Sequence, residues 1–413
     1  MKAICFFILL FQFSAALADE HQLPIDLSAE ELELELIKVS SSSQKNTPQK
    51  PIVVYPEIER IIQVGSRLSL WLKRLNLLRT KNQQIFLTSK EISRPITIEK
   101  PFSYSIKSIT DSFDDLLNNL PSVYRDVLLG KRDFYQVKAE ETELFIQFMR
   151  SIQFKYQHAI RFKLNDQRRA FFIRAARRDV RGYYFLVMNN YTAEKMKEFD
   201  LFSQTEKDKL ANALTKICMN KLGDFYECES LLKTAIAEKK VTEFYQMYID
   251  TARVTWHSFF KIPDSARRKD IVWKDTNTEF LFSEPKDPKF QSFIKNNIEE
   301  EFQFEDWKLK IIFSFLPDLP KLFFQAGTQP HVDKLGGNII TLDANQSTDE
   351  FESKWMIKHE FGHVLGLPDC YHEFYDVETK SYINYQLDST NIMCSRTGRF
   401  NQRIFKELER NYR

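Results

Sequence analysis

Between about residues 54 and 260, apolar positions recur every three or four residues. Ile58, Ile61, Ile62, Leu68, Trp71, Leu72 and Leu75 draw one continuous face, the spacing of an amphipathic helix. Pro121 and Gly130 bracket a short helix by the usual preferences of helix ends. "SQTE" at 203–206 is a capping box ahead of Leu210, Leu214 and Ile217. Further apolar faces run through "ELFIQFMRSIQF" and "VTEFYQMYIDTARV", and "YYFLVM" at 183–188 reads as a strand between them. After residue 270 the rhythm changes. "TEFLF" and "WKLKIIFSFL" read as strands on either side of an amphipathic helix, "PKFQSFIKNNIEEEF". "GGNIITLDA" at 336–344 is a glycine-led strand, "DEFESKWMIKHEFGHVLGL" a long helix and "NQRIFKELERNY" a terminal one. The pattern predicts a mainly α-helical domain over 54–264 and a compact α+β domain over 270–413.

The chain start reads differently. Lys2, the apolar run "AICFFILLF" and "ALA" at 16–18 predict a signal peptide over 1–18. Residues 19–53, including "SSSQKNTPQKP", carry too little apolar surface to offset chain ordering and predict a disordered leader. No later segment is long and apolar enough to span a bilayer. The expectation is therefore a secreted or periplasmic protein with no stable membrane insertion after signal removal. Asn190 and Asn345 stand in glycosylation sequons, which matter only on a eukaryotic secretory route.

Composition narrows little: 413 residues, 43% hydrophobic and 28% charged, describe an ordinary globular chain. Phe is frequent (36) and Gly scarce (10), which suits packed helices. A net charge of +2 gives no reason to expect nucleic acid. "RRAFFIRAARRDVR" at 168–181 reads as a solvated basic face. "ARRK" at 266–269 reads as a charged linker, with cleavage by a trypsin-like protease as the alternative. Beyond the signal four cysteines remain, an even number that suits disulfides in an oxidising compartment. The simplest pairing is local, Cys218 with Cys228 and Cys370 with Cys394, although three pairings are open.

The candidate chemistry lies in "HEFGHVLGLPDC", His359 to Cys370. Residues four apart on a helix share a face, so His359 and His363 can offer imidazole nitrogens to one metal ion. Glu360 lies to the side, free to hold a water. Gly366 is the residue best able to take the positive φ of a sharp turn, after which the chain leads to Asp369. Carboxylate is a competent zinc ligand. His372 is the rival third ligand, with Glu373 and Asp376 behind it.

"HEFGHVLGLPD" followed by "NIMCS" resembles the metzincin clan of zinc endopeptidases, whose signature is His-Glu-x-x-His-x-x-Gly-x-x-His or Asp with a methionine turn downstream. The version with Asp is most similar to the snapalysin-like secreted proteases. The resemblance covers roughly residues 270–413 and is sharp from 355 to 395. It implies a metzincin-like domain with one catalytic zinc, His359, His363 and Asp369 as ligands, Glu360 as catalytic acid/base and Met393 as the turn methionine. It further implies that Gly337, Asn338, Ile339 and Ile340 belong to the edge strand on which a protein or peptide substrate pairs. Ser395 departs from the pattern, standing where some metzincins carry a metal-binding tyrosine, and the large helical domain has no counterpart in the small snapalysin-like enzymes. A Cys370–Cys394 bridge would tie the third ligand's loop to the methionine turn. Phe323, Phe324 and His331 are candidates for the cleft wall, with core packing the simpler role for the two phenylalanines. The helical domain reads either as a removable prodomain or as a permanent accessory module. The competing reading of the whole chain is an exported helical binding module with a degenerate or structural zinc domain.

Overall fold

The structure, a computed structural model, describes residues 55–89, 96–137 and 143–413. The expected signal peptide (1–18) and polar leader (19–53) lie outside these residues. The first half carries helices α1 (Pro56–Leu77), α2 (Ile106–Thr110), α3 (Phe113–Asn118), α4 (Ser122–Leu128), α5 (Glu143–Gln167), α6 (Arg169–Ala175) and α7 (Arg181–Met188). They are followed by α8 (Ala193–Met196), α9 (Gln204–Leu222), α10 (Phe225–Ala237) and α11 (Val241–Ser258), and one short strand, β1 (Phe102–Tyr104), precedes α2. The second half is mixed: β2 (Asn277–Ser283), α12 (Pro288–Glu301), β3 (Gln303–Phe304), β4 (Trp307–Ser314), β5 (Lys321–Gln325), β6 (His331–Val332) and β7 (Ile339–Asp343). Then come α13 (Phe351–Val364), β8 (Tyr371–Asp376), β9 (Ser381–Gln386) and α14 (Gln402–Tyr412).

Local chemistry accounts for these elements. Helix α1 starts with a proline and has Glu57 and Glu59 in its first turn, where the backbone dipole favours negative charge. Its apolar stripe, Ile58, Ile61, Leu68 and Trp71, is buried against α5, which contributes Phe145, Met149 and Tyr156. Ser203 accepts from the Glu206 backbone N–H and caps α9, which packs with α7, α10 and α11 around Leu210, Leu214 and Ile217. Cys218 and Cys228 form a disulfide joining α9 to α10. Strands β2 and β4 run parallel, with Asn277 opposite Lys308 and Ser283 opposite Ser314. Thr278, Phe280 and Phe282 face inward beside Trp307, Leu309 and Ile311, and this one buried face sets the register. Among the described residues no helix is long and apolar enough to cross a membrane.

Four expectations need correction or refinement. Residues 183–188 are not a strand but the body of α7, because the buried Leu186 packs in the α9 core and tertiary contact overrides the local β preference of Tyr, Phe and Val. The strand expected to lie at the edge and pair with substrate does not: β7 begins at Ile339 and runs between β5 and β6, and Gly337 and Asn338 precede it. The outer strands of this sheet are β5 and β6. "ARRK" is not a loose linker, since Ala266 is buried and the Arg268 guanidinium donates to the carbonyls of Gly336 and Gly337 and to Asn338 Oδ1.

Nor are the halves separate bodies. Strand β1 of the helical half pairs antiparallel with β9, giving the sheet order β1–β9–β8, and Tyr382 of β9 sits inside the helical core. Tyr156 donates to the Asp343 carboxylate (2.9 Å), and Glu350 accepts from the backbone of Leu87 and Thr88 at 2.9–3.1 Å.

Candidate metal centre

The last turns of α13 are buried all round, from His359 through Glu360, Phe361 and Gly362 to His363. The helix end is made by Gly366, which takes φ +83°, and a Cβ there would also lie 2.7 Å from the Ala266 carbonyl oxygen. Any other residue would meet both penalties at once. The chain then folds back, with the Leu367 N–H donating to the Gly362 carbonyl (3.0 Å), and delivers Asp369 beneath the helix.

Asp369 Oδ1 lies 3.1 Å from His359 Nε2 and 3.2 Å from His363 Nε2. The three ligand atoms fall within 4.8 Å of one another. Each imidazole makes its second contact to a backbone carbonyl: His359 Nδ1 to Ile392 (3.0 Å) and His363 Nδ1 to Leu367 (2.8 Å). A carbonyl only accepts, so Nδ1 carries the proton in both rings and Nε2 presents a lone pair to the centre. Three electron-rich atoms converging in this way require positive charge between them. In the bare chain a proton supplies it: burial lowers the His363 pKa, but the Asp369 carboxylate outweighs burial and lifts it to about 9. Burial raises Asp369, and the two histidines outweigh that and hold it well below the usual carboxylate range. His359, His363 and Asp369 also form a two-His, one-carboxylate donor set of the kind that could hold a metal ion. The imidazoles are nearly enclosed, at 3% and 11% side-chain exposure, whereas Asp369 is 38% exposed, so the centre opens on the carboxylate side.

Glu360 is buried and points the same way. Burial, against the pull of both histidines, raises its pKa, and its Oε2 has no hydrogen-bond partner. Leaving a buried carboxylate oxygen unpaired costs on the order of 1–3 kcal/mol or more.

Beneath the helix, Met393 is buried with its sulfur against Gly362, where a Cβ would lie only 2.3 Å from Sδ. The Cys370 N–H donates to the Met393 carbonyl (3.1 Å), and Cys370 and Cys394 are joined by a disulfide. The ligand loop and the methionine turn are thus stitched together covalently and by backbone. Glu301 anchors the far side of that turn, accepting from Arg399 Nη1 (2.7 Å), from the Phe400 N–H (2.7 Å) and from Lys358 Nζ (3.2 Å).

The rival ligands go elsewhere. His372 faces away, among the rings of Phe259, Phe374 and Tyr385, and burial pulls its pKa down to about 3. Glu373 pairs with Arg161, and Asp376 accepts from the Glu378 and Thr379 backbone in a turn. Ser395 contacts Thr397 through its hydroxyl and takes no place at the centre. Phe324 packs on Phe290, whereas His331 is exposed on β6.

Three neighbours were not singled out from sequence. Trp355 lies with its ring 4.9 Å from the His359 ring and donates to the Ser395 carbonyl. Tyr371, two residues past Asp369, has its ring 6.1 Å from His359. Gly362 permits the methionine contact. Of these only Gly362 left a sequence signal, a small residue wedged between Glu360 and His363.

Comparison of this chain with protein-family models, with characterised proteins and with solved structures finds no significant match.

Proposed function

We propose that the chain is an exported zinc-dependent endopeptidase of the metzincin type, with the Asp-liganded centre of the snapalysin-like proteases. The observation that carries this reading is the convergence of His359 Nε2, His363 Nε2 and Asp369 Oδ1 beside the unpaired Glu360 Oε2. A structural site has no use for that fourth group, and a hydrolase does. The two disulfides support passage through an oxidising compartment.

His359, His363 and Asp369 would hold a zinc ion, which would supply Lewis acidity to the peptide carbonyl and to water. The chain's own residues do the rest. Glu360, its pKa raised by burial, takes a proton from the water as the oxygen attacks the carbonyl carbon. The same proton passes to the amine as the carbon–nitrogen bond breaks. The Tyr371 phenol stays protonated, because burial first and then Asp369 push its pKa well above the ordinary value. An extended substrate adds to the sheet along β6, whose outer edge is unpaired among the described residues.

The test is Glu360→Gln. It should lower cleavage of a denatured-protein substrate by about 10²–10⁴-fold while zinc content stays stoichiometric. Equal cleavage by the two proteins, or wild-type protein that takes up no zinc while Asp369→Ala behaves identically, ends the hydrolase reading.

A further inference from the structure

The third ligand reaches the centre on a strand that the C-terminal half holds from one side only. Strand β8 starts two residues after Asp369 and pairs with β9, and among the described residues no strand lies on its other edge. Its alternate residues Tyr371, Glu373 and Tyr375 point toward the helical half. There each meets an arginine. Arg161 of α5 sets its guanidinium 5.8 Å from the Tyr371 ring centre and donates to both carboxylate oxygens of Glu373, at 3.0 and 3.1 Å from Nε and 2.7 Å from Nη2. Arg169 of α6 lies 5.2 Å from the Tyr375 ring. Tyr104 of β1 donates to Glu373 as well, and its own oxygen accepts from Asn165 (2.9 Å). Glu373 is 7% exposed, so water does not compete for these bonds.

From this we infer that the helical half is a permanent clamp on β8, and that Arg161 is a positioning residue for Asp369 and Tyr371. Its consequence for catalysis rests on the zinc-hydrolase reading; its consequence for β8 does not. The planar guanidinium fixes both the height and the rotation of Glu373, and through two residues of strand it fixes where the ligand carboxylate stands. A prodomain designed to leave would take with it β1, the partner of β9, and every arginine that grips β8. The segment for which cleavage was the alternative reading, 266–269, is itself held by Gly336, Gly337 and Asn338.

The full-length chain tests this with Arg161→Ala, Arg161→Lys and a control, Tyr156→Phe, which removes another buried tie between the halves away from β8. Hydrogen exchange of the 369–376 amides, zinc affinity by chelator competition, and kcat and KM are measured for each. Arg161→Ala should speed exchange over 369–376 about tenfold or more relative to β4 and weaken zinc about ten- to a hundredfold. It should lower kcat more than it alters KM. Arg161→Lys keeps the charge without the fork and should recover part of the loss. Tyr156→Phe should lower the melting temperature alone. Wild-type exchange and zinc affinity in Arg161→Ala, or equal changes in Tyr156→Phe, overturn the inference. Wild-type protein that takes up no zinc ends the hydrolase reading, and the exchange comparison still decides the clamp.

Discussion

Gly362→Ala adds one methyl group at the most crowded point under the centre. The new carbon would stand 2.3 Å from Met393 Sδ and 2.9 Å from Cε, where comfortable contact is about 3.5–4.0 Å. Helix and methionine must therefore part by more than about 1 Å. Overpacking of this kind costs about 1–3 kcal/mol, but alanine is the better helix former by about 1 kcal/mol. The net loss of stability is thus only about 0–2 kcal/mol, and melting temperature alone would not decide the matter. The site should feel more. A shift of about 1 Å between α13 and the turn below it can cost about 10² in kcat, with zinc affinity falling in parallel. The sharp assay is a double-mutant cycle with Met393→Ala, read by urea denaturation of the metal-free chain. Met393→Ala alone should cost about 2–5 kcal/mol through its cavity. In the Gly362→Ala background it should cost about 1–3 kcal/mol less, because the methyl group then has room. Additivity within about 0.5 kcal/mol would show that the two residues do not press on each other, and the account of the methionine turn would fail.

Replacing Cys370 and Cys394 together by serine should lower stability by about 3 kcal/mol, from the loop the bridge closes, and should weaken zinc binding; loss of stability with unchanged zinc affinity would make the bridge structural only. His372 should make the fold acid-sensitive. Burial pulls its folded pKa down to about 3 from the ordinary 6.5, so the unfolded chain binds more protons between those values. The stabilisation is complete above pH 6.5 and is lost as pH falls toward 3. Denaturation midpoints at pH 7 and pH 5 should differ less in His372→Phe than in wild type, and an unchanged slope would assign the acid sensitivity to other groups.

Sequence periodicity was enough to find most helices and, in the second half, the strands β2, β4 and β7, whereas β5, β8 and β9 were not read. The stretch at 183–188 misled for a physical reason: its residues favour a strand locally, and only the packing of Leu186 against α9 makes them helical. Position within a sheet was illegible for a related reason. The apolar run of β7 looks the same whether a partner lies on one side or both, and the two-residue β6 that takes one edge is too short to leave a pattern. At the centre, His359, Glu360, His363 and Gly366 could be read because one helical turn and one glycine set their spacing. Asp369 was read through resemblance. Tyr371 and Arg161 belong to no local spacing, and Arg161 lies more than two hundred residues upstream of the strand it grips.

The polar side chains of α13 bear on the proposed hydrolase reading. Burying polar side chains on a core helix is costly unless each finds a partner. His359 has the Ile392 carbonyl, His363 the Leu367 carbonyl, and Lys358 the Glu301 carboxylate. Glu352, on the same helix, pairs with Arg396, whereas among the described residues Glu360 Oε2 has no hydrogen-bond partner. A helix relieved of chemistry would gain stability from a leucine or alanine at that position, and a purely structural metal site would gain it too. The carboxylate makes physical sense where a proton must be taken from one bond and given to another, and that is the chemistry of cleaving a peptide beside a three-ligand metal.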